Sequence, residues 1–279
     1  MEGFILTIHE GIFAFRKLTP RRYLQDKEHM RVIEVESGTG RKAVKMYDDY
    51  QKRDDDFKAR IISEIVCMKS ISHPNIIKLE EAIYSTLDNT ISLVTAFYHQ
   101  GTLLDVLRKK ELGVSTVWKL FIEIGCAVRH LHKRHVVHGD IKPANVFIDK
   151  TGSAILADFD QARSLGREKS VTSWGGSRNF VGPEYCEGCR VDPYLMDAYA
   201  LGTTLSAMYF FHSGPLKKNN GSFENLSSSL MQQSQQPKTY HLLLAMNRLV
   251  RNDPSRRKSV IKVFKDVQLP EMKALIDTL

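Results

Sequence analysis

The stretch His138-Gly139-Asp140-Ile141-Lys142-Pro143-Ala144-Asn145 lies between two apolar runs, Val136-Val137 and Val146-Phe147-Ile148. It places a carboxylate, an ammonium group and a carboxamide close together in the chain. A second acid, Asp158, follows eighteen residues after Asp140 in Ala157-Asp158-Phe159-Asp160. Phosphoryl transfer from a metal-bound nucleotide needs these groups. One carboxylate orients the incoming hydroxyl, a lysine neutralises the moving phosphoryl group, and an amide with a second carboxylate holds magnesium. A buried loop with merely satisfied polar groups has no reason to keep them in this order.

The elements that must position these residues are legible upstream and downstream. Residues 29–36 alternate with period two, Ser37-Gly38-Thr39-Gly40 is a turn, and Lys42 to Tyr47 is a second strand. This hairpin carries Lys45. Phe57 to Ile71 has helical spacing, with Ile61, Ile65, Met68 and Ile71 on one side. Glu64 faces that same side, and a buried carboxylate needs a partner. Ile91 to Phe97 reads as a strand that leads through Gly101 to a helix start at Leu103-Leu104-Asp105. Val117 to Arg134 is an amphipathic helix delivering the chain to His138. Asp197-Ala198-Tyr199-Ala200-Leu201-Gly202 is expected to open a further helix. Residues 1–23 read as a strand or lead-in ending in Leu18-Thr19-Pro20. Pro215 to Lys238, rich in Asn, Ser and Gln, reads as a mobile loop with one short helix.

Taken together, these motifs resemble the protein-kinase catalytic loop and metal-binding motif, and the resemblance covers roughly residues 20–268. It implies an α+β bilobal fold, with a β-rich lobe of one helix over 1–96 and a mainly helical lobe over 97–279. Asp140 and Lys142 would be catalytic. Lys45, paired with Glu64, would grip the α- and β-phosphates of ATP. Val32, Ala43 and Thr95 would line the nucleotide site, with Thr95 controlling access to the adenine pocket, and Asn145 and Asp158 would bind Mg²⁺. Asp197 would tie down the catalytic loop. The segment from Gln161 to Gly182 resembles an activation segment, closed by Gly182-Pro183-Glu184. Glu184 would pair with Arg257 of Asp253-Pro254-Ser255-Arg256-Arg257. The implied reaction moves the γ-phosphoryl group of ATP to a Ser or Thr hydroxyl of a protein, since Lys142 and Ser177 stand as in Ser/Thr kinases. The alternatives are a pseudokinase scaffold and a small-molecule kinase of related architecture.

The chain departs from that pattern at three places. The glycine-loop positions hold Gln25, Lys27 and Met30, and no glycine occurs between Gly11 and Gly38. Gly139 stands where an arginine usually receives the activation-segment phosphate, so phosphorylation of Ser170, Thr172 or Ser173 is expected to be unnecessary. Asp160 replaces the glycine after Asp158-Phe159, where aspartate tolerates some of the backbone angles that glycine permits, and it either adds a carboxylate near the metal or is a turn residue. The missing loop and Gly139 are similar to the rhoptry-type kinases of apicomplexan parasites.

Composition excludes several classes. The 279 residues are 42% hydrophobic and 26% charged, values of a globular protein with a sizeable core. No apolar run is long enough to span a bilayer. The apolar patch in residues 1–15 lacks a basic lead, so a cytoplasmic location is expected, or a secreted one if an upstream signal was removed. The net charge is +8, but the clusters Arg21-Arg22, Arg108-Lys109-Lys110 and Arg256-Arg257-Lys258 carry no interleaved aromatics. They read as a solvated basic surface rather than a nucleic-acid site. Cys67 and Cys126 sit in core-like patterns. Cys186 and Cys189 have half the spacing of a zinc site without a second pair, and free thiols fit a reducing compartment.

Overall fold

The structure, a computed structural model, describes the backbone of residues 7–9 and residues 18–166, 168, 170–211, 231 and 237–266. The chain forms two compact units, Met1–Ser72 with Ile77–Tyr98, and His73–Ile76 with His99–Leu279.

Among the described residues, the first unit holds a six-stranded sheet and one α-helix. Its strands are β1 (Thr7–His9), β2 (Thr19–Lys27), β3 (Met30–Ser37), β4 (Gly40–Tyr47), β5 (Leu79–Ser85) and β6 (Thr90–Ala96), in the order β1-β5-β6-β4-β3-β2. All neighbours are antiparallel except β1, which runs parallel to β5. Because side chains alternate across a strand, the apolar Ile33, Val35, Val44, Met46 and Val94 share one face and pack with Leu18 and Ile83. Val32, Ala43, Lys45 and Thr95 share the other, as their cross-strand register shows. The expected hairpin is therefore present. Strand β5 starts two residues beyond His73-Pro74-Asn75-Ile76-Ile77, a stretch that reads from sequence as the end of a helix and the opening of a strand. Where a glycine loop would lie, β2 and β3 pair as far as Lys27 and Met30 and turn through Glu28-His29 alone.

Helix α1 (Asp55–Ser70) starts where Asp54 caps it, accepting from the Phe57 amide at 2.7 Å. Asp55 and Asp56 in its first turn complement the helix dipole. Ile61, Ile65 and Met68 are buried, as their spacing requires, and Glu64 is buried among them.

The second unit is mainly helical: α2 (Leu103–Lys109), α3 (Val114–His132), α4 (Pro193–Phe210), α5 (Pro237–Leu249) and α6 (Val260–Asp266). Its short strands are β7 (Val136–Val137), β8 (Val146–Ile148), β9 (Ala154–Leu156) and β10 (Arg163–Ser164), paired β7 with β10 and β8 with β9. Helix α3 supplies the centre, with Phe121, Ile122 and Ile124 fully buried. Its Gly125 lies against the Phe264 ring of α6, where a Cβ would meet a ring carbon at 1.9 Å. Helix α4 begins earlier than expected. Asp192 caps it by accepting from the Tyr194 and Leu195 amides, and Pro193 takes the first helical position. Asp197 therefore lies inside the helix rather than opening it. The loop read over Pro215–Lys238 falls largely outside the described residues.

The cysteine reading needs one correction. Cys67 and Cys126 are free and buried, but Cys186 and Cys189 are joined as a disulfide. A turn closed by the Cys189 amide on the Cys186 carbonyl brings the two together.

His73 opens the second unit. Its Nδ1 accepts from the Asn75 amide at 3.1 Å, and its ring lies 4.9 Å from that of His130. Burial, then His130 and the nearby Arg129 and Arg134, push its pKa down to about 4. The unfolded chain takes up this proton near its ordinary value of 6.5, so stability is lost as pH falls between the two values. The melting temperature is expected to drop on acidification from about pH 7 to pH 5, and His73→Asn, which keeps a side-chain acceptor, should flatten that slope. An unchanged slope in the variant would contradict this.

Candidate active site

In the first unit, β4 presents Lys45 and α1 presents Glu64. Lys45 Nζ donates to Glu64 Oε1 at 2.8 Å, and the Glu64 side chain is only 2% exposed. The other carboxylate oxygen, Oε2, accepts from the Tyr47 hydroxyl. Ala43 and Thr95 lie directly opposite one another on β4 and β6, and Val32 lies opposite Lys45 on β3. Val32, Ala43, Lys45 and Thr95 are thus on one sheet face, and Glu64 reaches Lys45 from α1.

In the second unit the chain from His138 to Asn145 links β7 to a 3₁₀ turn (Pro143–Asn145) that leads into β8. Asp140 is bonded on both oxygens. Oδ1 accepts from the Ser177 amide at 2.8 Å, and Oδ2 from Lys142 Nζ at 2.5 Å and Asn145 Nδ2 at 2.9 Å. Lys142 Nζ also donates to the Ser177 hydroxyl at 2.7 Å. Asp140, Lys142, Asn145 and the closing turn of the activation-like segment form one polar cluster. Asn145 Nδ2 also donates to the Asp140 carbonyl at 2.9 Å, so its amide nitrogen faces Asp140 and leaves its oxygen as a ligand. That oxygen and the Asp158 carboxylate are the hard donors magnesium prefers, and magnesium takes its remaining ligands from phosphates and water. The Ala157 amide donates to the Asn145 carbonyl at 2.9 Å, tying the strand before Asp158 to this turn.

Two side chains the sequence reading left unassigned hold the loop in place. His138, fully buried, donates from Nε2 to the Ala157 carbonyl, accepts from the Asp140 amide on Nδ1, and meets the Phe159 ring at 4.9 Å. His132 donates to Asp197, which also accepts from the His138 and Gly139 amides at 2.8 and 3.0 Å. Asp197 therefore ties down the start of the His138–Asn145 loop through two backbone amides, with His132 of α3 as its third donor.

The strained backbone falls on Asp158, with φ of 63°, and not on Asp160. Gly139 has φ of 85°, and a Cβ there would meet the Gln161 carbonyl oxygen at 2.6 Å. An arginine cannot stand at this position without moving Gln161. The activation-like segment nevertheless has guanidinium partners, contrary to expectation. Arg163 donates to the Ser173 carbonyl at 2.8 Å and its hydroxyl at 3.1 Å, and Arg190 reaches the Ser170 hydroxyl at 3.4 Å.

The segment is closed by a bidentate pair. Arg257 donates to Glu184 Oε1 at 2.5 Å and Oε2 at 2.9 Å, and its guanidinium lies 4.8 Å from the Tyr199 ring. Next to it a cavity of about 490 Å³ is lined by Trp174, Arg178, Val181, Pro183, Tyr185 and Glu187, among others. Glu184→Ala leaves a buried guanidinium whose remaining acceptors are the Arg251 and Leu195 carbonyls. A loss of about 3 kcal/mol is expected, read by urea unfolding followed by tryptophan fluorescence, since both tryptophans, Trp118 and Trp174, are in this unit. A loss below about 1 kcal/mol would mean the pair behaves as a surface ion pair.

A protein-family model described as "Protein kinase domain" matches residues 31–269. A human SNF-related serine/threonine-protein kinase is 30% identical over 262 residues, 92% of this chain and 32% of its own length. A calcium/calmodulin-dependent protein kinase kinase of Caenorhabditis elegans is 32% identical over 148 residues, 52% of this chain and 27% of its own. The rat serine/threonine-protein kinase SIK1 is 29% identical over 200 residues, 71% and 24% respectively. The chain spans about a third or less of the length of these relatives.

Proposed function

Because the chain belongs to the protein kinase domain family, we propose that it transfers the γ-phosphoryl group of ATP to Ser or Thr hydroxyls of protein substrates. The observation that carries this reading is the bonding of Asp140, whose carboxylate shares Lys142, Asn145 and Ser177 in one cluster. Asp140 accepts the hydroxyl proton, and Lys142 moves between Asp140 and the γ-phosphate. Lys45, steadied by Glu64, holds the α- and β-phosphates. Asn145 and Asp158 would hold Mg²⁺, which would supply positive charge against the phosphates. Two features support a protein substrate: the engagement of Ser177 with both Lys142 and Asp140, and the open cavity beside it that can take a neighbouring peptide side chain.

The phosphate cover is rebuilt without glycine. The Glu28-His29 hairpin replaces a mobile loop, and this supports placing the chain with kinases of the rhoptry type. The missing glycines also favour a second reading, a pseudokinase that binds or scaffolds. Against it stands the retention of every side chain that would touch phosphate or metal, since a scaffold has no chemical need of them.

Asp140→Asn separates the two readings. A loss of about 10² to 10⁴ in phosphorylation rate is expected, with nucleotide affinity kept. Equal rates in both proteins would favour the scaffold. The triple change Ser170→Ala, Thr172→Ala and Ser173→Ala is expected to leave turnover within about twofold, because the Arg163 bond to the Ser173 carbonyl survives it. A large loss would show that a loop phosphate is required.

A further inference from the structure

Tyr47 stands two residues after Lys45 on β4, so both side chains leave the strand on the same face. Its ring is buried, 7% exposed. Its hydroxyl donates to Glu64 Oε2 while Lys45 occupies Oε1. The Lys45 ammonium lies 5.4 Å from the Tyr47 ring centroid. The ring also meets Phe57, in the first turn of α1, edge-on at 6.0 Å and 86°. Phe57 is flanked in turn by the guanidinium groups of Arg53 at 5.7 Å and Arg60 at 5.6 Å. Strand β4 therefore grips α1 at two points about two turns apart, through Phe57 and through Glu64.

The hydroxyl is the informative part of this arrangement. Burial, reinforced by the Glu64 charge and only opposed by Lys45, holds its pKa well above the usual phenol range. It stays a donor at any working pH. An outward movement of α1 would break the Lys45 pair and also strand a buried hydroxyl without its acceptor, which native structures avoid. Lysine and glutamate alone can part and be solvated separately, but with Tyr47 bonded to the same carboxylate the separated state is disfavoured a second time.

We infer that Tyr47 is a positioning residue that bolts Glu64 to Lys45 and so keeps the phosphate-gripping lysine in place without a phosphorylated activation segment. The inference rests on the phosphotransfer reading above and adds a regulatory property to it.

The test is Tyr47→Phe, which removes one oxygen and keeps the ring. Magnesium–ATP affinity is measured by calorimetry, and amide hydrogen exchange is measured over Asp55–Ser70, for the wild type, Tyr47→Phe, Glu64→Ala and the double variant. The expected result is an affinity roughly tenfold weaker in Tyr47→Phe, as for loss of a bond to a charged group, with faster exchange across α1. In the Glu64→Ala background the same change should add little, a non-additivity that a packing role for the ring would not produce. Phosphatase treatment of the wild type should alter neither reading. The inference is overturned if Tyr47→Phe leaves both affinity and exchange unchanged, if its effect is the same with and without Glu64, or if phosphatase loosens α1. Should the wild type bind no nucleotide, the phosphotransfer reading fails, while the exchange comparison in nucleotide-free protein still decides whether Tyr47 holds the helix.

Discussion

A carboxylate taken out of water must find donors for its oxygens, and in this molecule that requirement fixes the functional residues in space. Glu64 meets it with Lys45 and Tyr47, Asp197 with His132 and two backbone amides, and Asp140 with Lys142, Asn145 and the Ser177 amide. Each cluster joins segments far apart in the chain. Glu64 ties α1 to β4, Asp197 ties α4 to the catalytic loop, and Asp140 ties that loop to the end of the activation-like segment. The apolar cores hold the scaffold, but the acids decide which loops can approach each other and in what orientation.

The pair between Glu184 and Arg257 extends this logic to the far end of the chain. Its guanidinium is shared among a carboxylate, two backbone carbonyls and a tyrosine face. The residues closing the activation-like segment are thereby attached to the helical body. In the same segment Ser177 bonds Asp140 and Lys142.

The candidate site residues were readable from sequence because the proposed chemistry prescribes both residue type and order, and the helix and strands carrying Lys45 and Glu64 were readable because their apolar spacing is strong. Elements with weaker or competing signals were missed. The start of α4 was placed at Asp197 although Asp192-Pro193 carries a cap signal, because the functional acid drew the boundary to itself. Tyr47 reads as a core aromatic in any strand, and only the position of Glu64 shows that its hydroxyl has a charge to bond. The positive φ falls on Asp158, where no glycine marks it in the sequence. Arg163 and Arg190 were invisible as partners of Ser173 and Ser170, since their contacts depend on how the segment folds back.

Melting of the purified protein with ATP, with and without magnesium, tests the central claim most directly. If Asn145 and Asp158 hold a metal that Lys45 and Lys142 complement, magnesium–ATP should stabilise the fold by about 2.7 kcal/mol at a hundredfold excess over its dissociation constant, and ATP with chelator should stabilise it markedly less. A melting temperature indifferent to nucleotide and magnesium together would contradict the account, leaving a kinase fold whose charged clusters serve architecture alone.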